Sequence, residues 1–178
     1  MNIFALEYIN DNDIDKEIDW IKSAQSLDNM RVVKMILESC QLLSTALFIN
    51  NINGAIYKPT HINHPSTKWT AESSANFLNL VKHTKAMLDE YYLRFNKNHK
   101  CNKILEENIL PLFEKNIDKF PQALETPLKM AMPLEYQVPN DPVLSYRNYY
   151  ITKEKMRYPK GKEPIWFLKN RKIPYKAI

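Results

Sequence analysis

The sequence predicts an all-α protein, a compact single-domain helical bundle with an extended, proline-rich and basic C-terminal arm. Apolar residues recur at three- and four-residue spacing through several segments, which is typical of amphipathic helices. Prolines then interrupt regular structure in the last third of the chain, at positions 121, 127, 133, 139 and 142. We therefore expect a helical core domain over 1–119. A proline-rich segment, a final helix and a basic aromatic tail over 120–178 are expected to pack on the same domain.

Five segments have helical periodicity or begin at residues that cap helices: about 13–24, 28–48, 66–95, 102–113 and 143–155. Asp13 is the expected cap of the first segment, and Pro65 is a favoured residue at the start of the third. Pro111 is expected to interrupt the fourth. The second segment is apolar over most of its circumference, so it is expected in the middle of the fold.

Glycine and cysteine are both scarce, which excludes several protein classes. Gly54 and Gly161 are the only glycines in 178 residues. Phosphate-cradling loops and dinucleotide folds need closely spaced glycines, so a nucleotide-triphosphate motor or a Rossmann dehydrogenase is excluded. The cysteines are Cys40, which lies in an apolar run, and Cys101. A disulfide framework is therefore not expected.

The N-terminal segment does not have the pattern of a secretory signal. Glu7 follows only a few apolar residues, and an acidic run begins at Asp11. No stretch is expected to reach the roughly 20 apolar residues that a membrane span needs. We expect a cytoplasmic protein with no membrane partner.

The net charge of +5 is unevenly distributed along the chain. From Val143 onward ten basic residues accompany two acidic ones, a balance of +8, which leaves −3 for the remainder. This asymmetry predicts a surface that faces a polyanion. Arg147, Tyr150 and Lys153 of the final helix would then bind phosphates and stack on bases. The alternative is that these aromatic residues only dock the arm onto the body of the domain.

A narrow polar stripe lies on the otherwise apolar second helix. At about 100° per residue, Arg31, Lys34, Glu38 and Gln41 fall within an arc of about 80°. Buried charges need partners, so these groups either neutralise one another in a closed network or line a cleft that admits a ligand. The second alternative places a carboxylate beside two cations, as acid–base sites require. The residue pattern alone supports both interpretations equally.

The loop THINHPSTKW is the second candidate constellation. It brings His61, His64, Lys68 and Trp69 to the start of the third helix, and helix N-termini favour anions. A phosphate contact is therefore predicted at this helix start. The two histidines also form an HxxH spacing, with His99 and Cys101 forming an HxC spacing further on. These spacings match no strong zinc signature, so we expect no metal site.

The residues above also carry a resemblance to a known family. The run SLDNMRVVKMILESCQLL, followed by NHP, Trp69 and a long helix ending EYYLRF, resembles the pyrimidine-dimer DNA glycosylase family of the phage endonuclease V type, over about residues 26–95. In that family a nucleotide is flipped out of duplex DNA, an amine attacks the sugar carbon to form a Schiff base, and a helix-borne glutamate assists. The resemblance implies that Glu38 is this glutamate. Arg31 falls on a position that the family gives to a basic or histidine residue, and His64 resembles the histidine of the following loop.

The sequence departs from the family at the nucleophile. Characterised members use an N-terminal threonine amine that is exposed after methionine removal, whereas here Asn2 follows Met1 and is too large for efficient removal. Either the Met1 amine serves instead, or Lys34 does once burial favours its neutral, nucleophilic form. A third alternative is that no covalent step survives. The scaffold would then carry a glycosidic hydrolase, a modified-nucleotide enzyme or a plain binding module.

The resemblance implies a DNA glycosylase, with or without lyase activity, that acts on damaged or modified bases. It implies double-stranded DNA as the partner, no metal or organic cofactor, and the host cytoplasm as the location if a phage encodes the chain. Two alternatives stay open. One is a non-catalytic phage-type module that binds nucleic acid or protein, and the other is an enzyme for free nucleotides or nucleosides.

Overall fold

Helices form nearly all of the regular structure, which confirms the all-α class. The computed structural model describes residues 2–10 and 16–170, together with the backbone of 176–177. Its α-helices are α1 (Trp20–Gln25), α2 (Asn29–Ile49), α3 (Pro65–Glu72), α4 (Ser74–Phe95), α5 (Lys100–Ile104), α6 (Leu110–Lys115), α7 (Pro142–Tyr150) and α8 (Ile165–Asn170). A π-helical turn, Leu105–Ile109, joins α5 to α6, and short 3₁₀ turns occupy Ile117–Lys119 and Leu134–Tyr136. Two short strands, β1 (Arg157–Tyr158) and β2 (Lys176–Ala177), pair in parallel.

Helix α2 lies in the middle of the fold, as predicted from its apolar circumference. Asp28 caps its first turn by accepting a hydrogen bond from the Met30 amide at 3.1 Å, and the helix packs against α3, α4 and α5. One side is fully buried in the core: Val32, Ile36, Cys40, Leu43 and Leu47. The expected burial does not extend to Val33 and Leu37, which lie beside this core face and are exposed. The central helix therefore has both a core face and a surface face.

Helix α2 is also long and apolar enough to cross a membrane by length and composition, contrary to the expectation that no stretch would be. Of the apolar window in this helix, 61% is buried inside the protein. Such burial is what packing in the core of a folded domain produces.

The third predicted helix is divided in two. Ser73 has an extended backbone (φ −151°), and its hydroxyl accepts a hydrogen bond from the Asn76 amide, so that it caps α4. The Ser74 amide bonds outside the helix, to the Gln122 carbonyl at 3.0 Å. A serine side chain that bonds the backbone competes with helix continuation, which accounts for the break.

The fourth and fifth predicted helices have different boundaries from those expected. Pro111 lies in the first turn of α6, where the missing N–H is tolerated, and the preceding π turn carries the helical path into it. The final helix ends at Tyr150, before residue 155, and Lys155 has a left-handed φ of 55°.

The first helix begins at Trp20 with Asp19 as its cap. The predicted cap Asp13 lies outside the described residues.

The C-terminal region contacts the N-terminal segment through several polar residues. Asp141, the cap of α7, accepts a hydrogen bond from the Tyr8 hydroxyl at 2.7 Å. Glu7 accepts hydrogen bonds from Arg147 and from the Trp166 indole, each at 2.7 Å. The residues after Tyr158 form α8, whose Phe167 is fully buried, so this part of the predicted arm is not extended.

His83 of α4 predicts how stability responds to acid. Burial lowers its pKa from 6.5 to about 4, and its Nδ1 lies 2.9 Å from the Trp20 carbonyl oxygen. Between pH 6.5 and pH 4 this histidine is protonated in the unfolded chain but not in the folded one. The stability present above pH 6.5 is therefore lost as the pH falls towards 4. The loss amounts to about 3 kcal/mol. Urea unfolding of His83→Gln from pH 7 to 4 should show a flatter pH dependence. His61→Gln, which removes an exposed histidine, should retain the wild-type dependence, and equal slopes for both variants would contradict the assignment.

Candidate active site

A cleft of about 300 Å³ opens beside the first three turns of α2. One wall comes from the N-terminal segment and another from the end of α7 and the turn after it. The lining residues are Asn2, Phe4, Met30, Arg31, Lys34, Met35, Glu38, Tyr149 and Lys153. Of the residues predicted from the sequence, the cleft therefore brings together Arg31, Lys34, Glu38 and Lys153.

A buried carboxylate, Asp28, fixes Arg31 at one end of the cleft. Asp28 is fully buried, and its Oδ2 accepts hydrogen bonds from Arg31 Nη1 and from the Tyr150 hydroxyl, each at 2.7 Å. The guanidinium of Arg31 also lies 5.4 Å from the centre of the Tyr150 ring. Burial raises the pKa of Tyr150 well above its usual value of 10, so the hydroxyl remains a donor. Of the two interpretations of the polar stripe, the closed network of paired charges therefore applies to Arg31.

Lys34 and Glu38 form an open pair on the same face. Lys34 Nζ lies 3.3 Å from Glu38 Oε1, and the lysine side chain is 68% exposed whereas that of the glutamate is 16% exposed. An i, i+4 pair of this exposure contributes only a few tenths of a kcal/mol. The pair therefore contributes little to stability. Of the two interpretations of the polar stripe, the ligand-binding cleft applies to Lys34 and Glu38. Three cations and one carboxylate line the cleft, and Asp28 behind the lining pairs with Arg31, so the balance of +1 still favours an anionic ligand.

His64, which caps α3, interacts electrostatically with Glu38. Its Nδ1 accepts a hydrogen bond from the Ser66 amide at 3.2 Å and so caps the helix. Burial lowers the pKa of His64, the nearby His61 lowers it further, and the negative charge of Glu38 opposes both effects. His61 is exposed, has a left-handed φ of 50° and bonds the Thr60 hydroxyl at 2.7 Å. The histidines of this loop are thus local hydrogen-bonding groups.

Gln41 and Lys68 lie outside the cleft lining. Gln41 is half-buried about one turn beyond Glu38, and its backbone oxygen accepts a hydrogen bond from the Thr45 hydroxyl at 2.8 Å. Lys68 is exposed on α3. Neither therefore forms a wall of the cleft.

Trp69 and Tyr150 are core residues, in place of the substrate contacts predicted from the sequence. Trp69 is fully buried, donates its indole N–H to the Thr126 carbonyl at 3.0 Å and packs against Trp20. Tyr150 is equally buried and bonds Asp28. Neither ring has a face available to a base.

Arg147 lies in a different cleft from Glu38. It donates hydrogen bonds to the Leu6 carbonyl and to Glu7, both at 2.7 Å, and lies over the Trp166 ring. This second cleft, of about 840 Å³, is lined by the N-terminal segment, α1, α4 and α8. Arg147 therefore joins the C-terminal region to the body of the protein, as the docking alternative describes. Lys153, by contrast, lines the first cleft with its Nζ 3.3 Å from the centre of the Tyr149 ring.

The N-terminal wall of the cleft is the part that sequence reasoning missed. Asn2 and Phe4 follow no helical periodicity, so nothing in their spacing indicated that they would lie against α2. Asn2 Oδ1 is buried and has no hydrogen-bond partner within the described residues. A buried acceptor without a donor is uncommon and costs about 1–3 kcal/mol, so this atom is a position where a ligand donor would be accommodated. The predicted nucleophile Met1 lies outside the described residues.

The HxxH and HxC spacings noted in the sequence raise the question of metal binding. Within the described part of the chain, no three His, Cys, Asp or Glu side chains form a group that could hold a metal ion. Cys40 and Cys101 are both buried free thiols.

The fold and the cleft together define the class of protein. It is an all-helical protein whose central helix carries a carboxylate and an amine, and these line a cleft with an excess of cations. The family model described as pyrimidine dimer DNA glycosylase matches residues 1–103, more than half of the chain. The chain therefore belongs to the pyrimidine dimer DNA glycosylase family, which confirms the predicted resemblance and extends it to the N-terminal wall of the cleft. DNA is accordingly its substrate class. No curated protein and no solved structure matches the chain.

The hydroxyl of Tyr150 should stabilise the protein measurably through Asp28. Tyr150→Phe removes a donor from a buried carboxylate, so the free energy of unfolding should fall by about 1–3 kcal/mol in urea denaturation. Tyr146→Phe is the matched control, because Tyr146 is equally buried on α7 but its hydroxyl only accepts a long 3.4 Å hydrogen bond from Ala131. Equal losses for the two variants would show that the Asp28 network contributes nothing particular.

Proposed function

We propose that this chain removes a damaged pyrimidine base from double-stranded DNA in the cleft beside α2, with Glu38 as the essential carboxylate. Membership of the glycosylase family supplies the reaction class. The observation that carries the assignment to this site is the position of Glu38, a largely buried carboxylate in a cleft whose other charged lining residues are all cations.

The proposed role of Glu38 follows from the charge that develops on the sugar. Cleavage of a glycosidic bond passes through an oxocarbenium-like transition state with positive charge at C1′ and the ring oxygen. A fixed carboxylate stabilises that charge more strongly than it stabilises the neutral ground state. Glu38 is held on a long core helix, which keeps its position rigid during the reaction.

The amine of the proposed covalent step is Lys34 or the N-terminal amine. Lys34 Nζ lies 3.3 Å from Glu38, the distance over which the carboxylate would take up its proton. The lysine side chain is 68% exposed, however, whereas nucleophilic lysines are typically desolvated. The N-terminal amine is the stronger candidate, because Asn2, the residue that follows Met1, lines the cleft.

The cations of the cleft are proposed to hold the DNA backbone. Arg31 is positioned in advance by Asp28 and Tyr150, so little entropy is lost when its remaining N–H groups bind a phosphate. Lys153 lies on the opposite wall, where a second phosphate contact would orient the strand. Lys68, exposed on α3, is proposed as a further phosphate contact, and His64 as a hydrogen-bonding group beside it.

The central test compares wild type with Glu38→Gln on a duplex that contains one cyclobutane pyrimidine dimer. The amide keeps the volume of the side chain but removes its charge, so base removal should fall by about 10²–10⁴-fold. The melting temperature should stay within about two degrees, because the ion pair with Lys34, one partner of which is exposed, contributes only a few tenths of a kcal/mol. A fall of several degrees with unchanged DNA affinity would show that Glu38 is structural, and the protein would then be a binding module.

A borohydride trapping experiment identifies the amine. Wild type incubated with the damaged duplex and borohydride should form a covalent protein–DNA adduct. Lys34→Met should abolish the adduct if Lys34 is the nucleophile and retain it if the N-terminal amine is. Acetylation confined to the N-terminal amine should give the opposite pattern. Base removal by the wild type without any adduct would overturn the covalent step and leave a simple hydrolase.

Salt dependence tests whether the cleft contacts the DNA backbone. Lys153→Gln should reduce the slope of log affinity against log salt by about one unit, as expected for one lost phosphate contact. Lys160→Gln is the matched control, since Lys160 is exposed and does not line the cleft. An unchanged slope for Lys153→Gln would contradict the proposed path of the strand. Both are point substitutions, which leave the packing of Trp166 and Phe167 on the body of the protein intact.

A further inference from the structure

Two free thiols meet between the central helix and the segment that follows α4. Cys40 lies on the core side of α2 and Cys101 lies in α5, and both are almost fully buried. Their side chains hydrogen-bond each other. The Tyr57 hydroxyl, from the loop between α2 and α3, lies 3.3 Å from the Cys101 sulfur. Neither cysteine lines the cleft that contains Glu38, so the proposed function makes no use of this cluster.

We propose that Cys40 and Cys101 form a redox modification site, at which a peroxide converts the two thiols into a disulfide that joins α2 to α5. The structure contains the reduced form. The proposal is independent of the proposed function, because it concerns the core side of α2 and not the cleft.

The meeting of the two sulfurs is the observation that packing alone does not require. The chain has only these two cysteines, and they come from segments far apart in the sequence. A buried structural cysteine behaves as a small apolar residue and needs no second thiol beside it. A disulfide does need one, because cysteines whose side chains point apart cannot be bridged without movement of the backbone. The pair therefore already meets the first geometric requirement for a disulfide.

The hydrogen bonds assign different roles to the two thiols. The thiolate is the reactive form of cysteine. The Cys40 thiol donates a hydrogen bond to Cys101, which lowers the pKa of Cys101 although burial opposes the change, and the Tyr57 hydroxyl lowers it further. The same bond, together with burial, raises the pKa of Cys40. Cys101 is therefore the attacking group and Cys40 the resolving group.

The proposed reaction with hydrogen peroxide has two steps. The Cys101 thiolate attacks one oxygen, the O–O bond breaks, and Cys101 becomes a sulfenic acid, while the departing hydroxide takes up the proton that the thiol had released. The Cys40 sulfur then attacks the sulfenic sulfur, an S–S bond forms, and hydroxide leaves with the Cys40 proton as water. The two thiols thus lose two electrons to one peroxide, which is reduced to two molecules of water. A dithiol reductant reverses the modification.

The loop that carries Tyr57 provides the route for a small oxidant. This loop, residues 50–64, contains no helix or strand. Asn108 binds it through two exposed hydrogen bonds, one donated to the Gly54 carbonyl and one accepted from the Ile56 amide, each at 3.0 Å. Because water competes for exposed hydrogen bonds, opening this loop costs less free energy than unfolding the core. Peroxide, which is close to water in size, then reaches Cys101.

The experiment treats the full chain with hydrogen peroxide and measures its mass and its free thiols. The intact mass of the wild type should fall by the mass of two hydrogen atoms. A proteolytic map without reductant should contain one pair of peptides linked through Cys40 and Cys101, and dithiothreitol should restore both thiols. Since the bond closes a long loop of the chain, the melting temperature should rise by about 5–10 degrees on oxidation.

Substitutions of the three clustered residues test their separate roles. Cys40→Ala should stop the reaction at the sulfenic acid of Cys101, which dimedone traps. Cys101→Ala should leave a thiol that peroxide does not oxidise. Tyr57→Phe should shift the pH profile of Cys101 alkylation by iodoacetamide to higher pH, because a donor to the thiolate is lost. An unshifted profile would contradict the role of Tyr57.

Asn108→Ala tests the route of access. The variant should form the disulfide about fivefold faster, as expected when a net hydrogen bond to the loop is lost. Asn102→Ala is the matched control, since Asn102 is exposed on α5, and it should retain the wild-type rate. Equal rates for the two variants would overturn the loop as the route.

Two results would overturn the modification site itself. If both thiols of the wild type stay free at a peroxide concentration that oxidises free cysteine, the pair is only a packing feature. If the disulfide forms only between two chains, seen as a dimer on a non-reducing gel, the proposed link between α2 and α5 is wrong. Both readouts are made on the wild type, so they hold even where a cysteine variant fails to fold.

Discussion

The buried carboxylate of Asp28 is the interaction on which the site depends. It caps α2, binds Arg31 three residues further on, and accepts the hydroxyl of Tyr150, which lies 122 residues away in the chain. A fully buried charge is tolerated only with such a set of donors. The same bonds that satisfy Asp28 therefore fix the distance between α2 and α7. The cleft occupies the space that this distance leaves between the two helices and the N-terminal segment.

The central helix serves two purposes because its two sides have different surroundings. Its inner side forms the core against α3 and α4, which holds the helix rigid. Its outer side presents Glu38 to the cleft and the apolar residues Val33 and Leu37 to solvent. Functional groups on a core helix lose little entropy when they bind, because the backbone that carries them is already ordered.

The positive charge of the C-terminal region is divided between structure and the cleft. Arg147 is bound to Glu7 and lies over Trp166, so its charge stabilises the contact between the two ends of the chain. Lys153 lies six residues further on and lines the cleft with Glu38. A count of charges along the sequence treats these two residues alike, although only Lys153 faces the proposed DNA path.

The sequence by itself determined the helical class, the bounds of α2 to within one residue, and the shared face of Arg31, Lys34 and Glu38, because each follows from periodicity and capping within one segment. Only the tertiary structure decided which sides are buried. Trp69 is a core residue while Val33 and Leu37 are exposed. Asn2 completes the cleft because the N-terminal segment packs beside α2. Such contacts join residues far apart in the chain, and spacing within one segment carries no information about them.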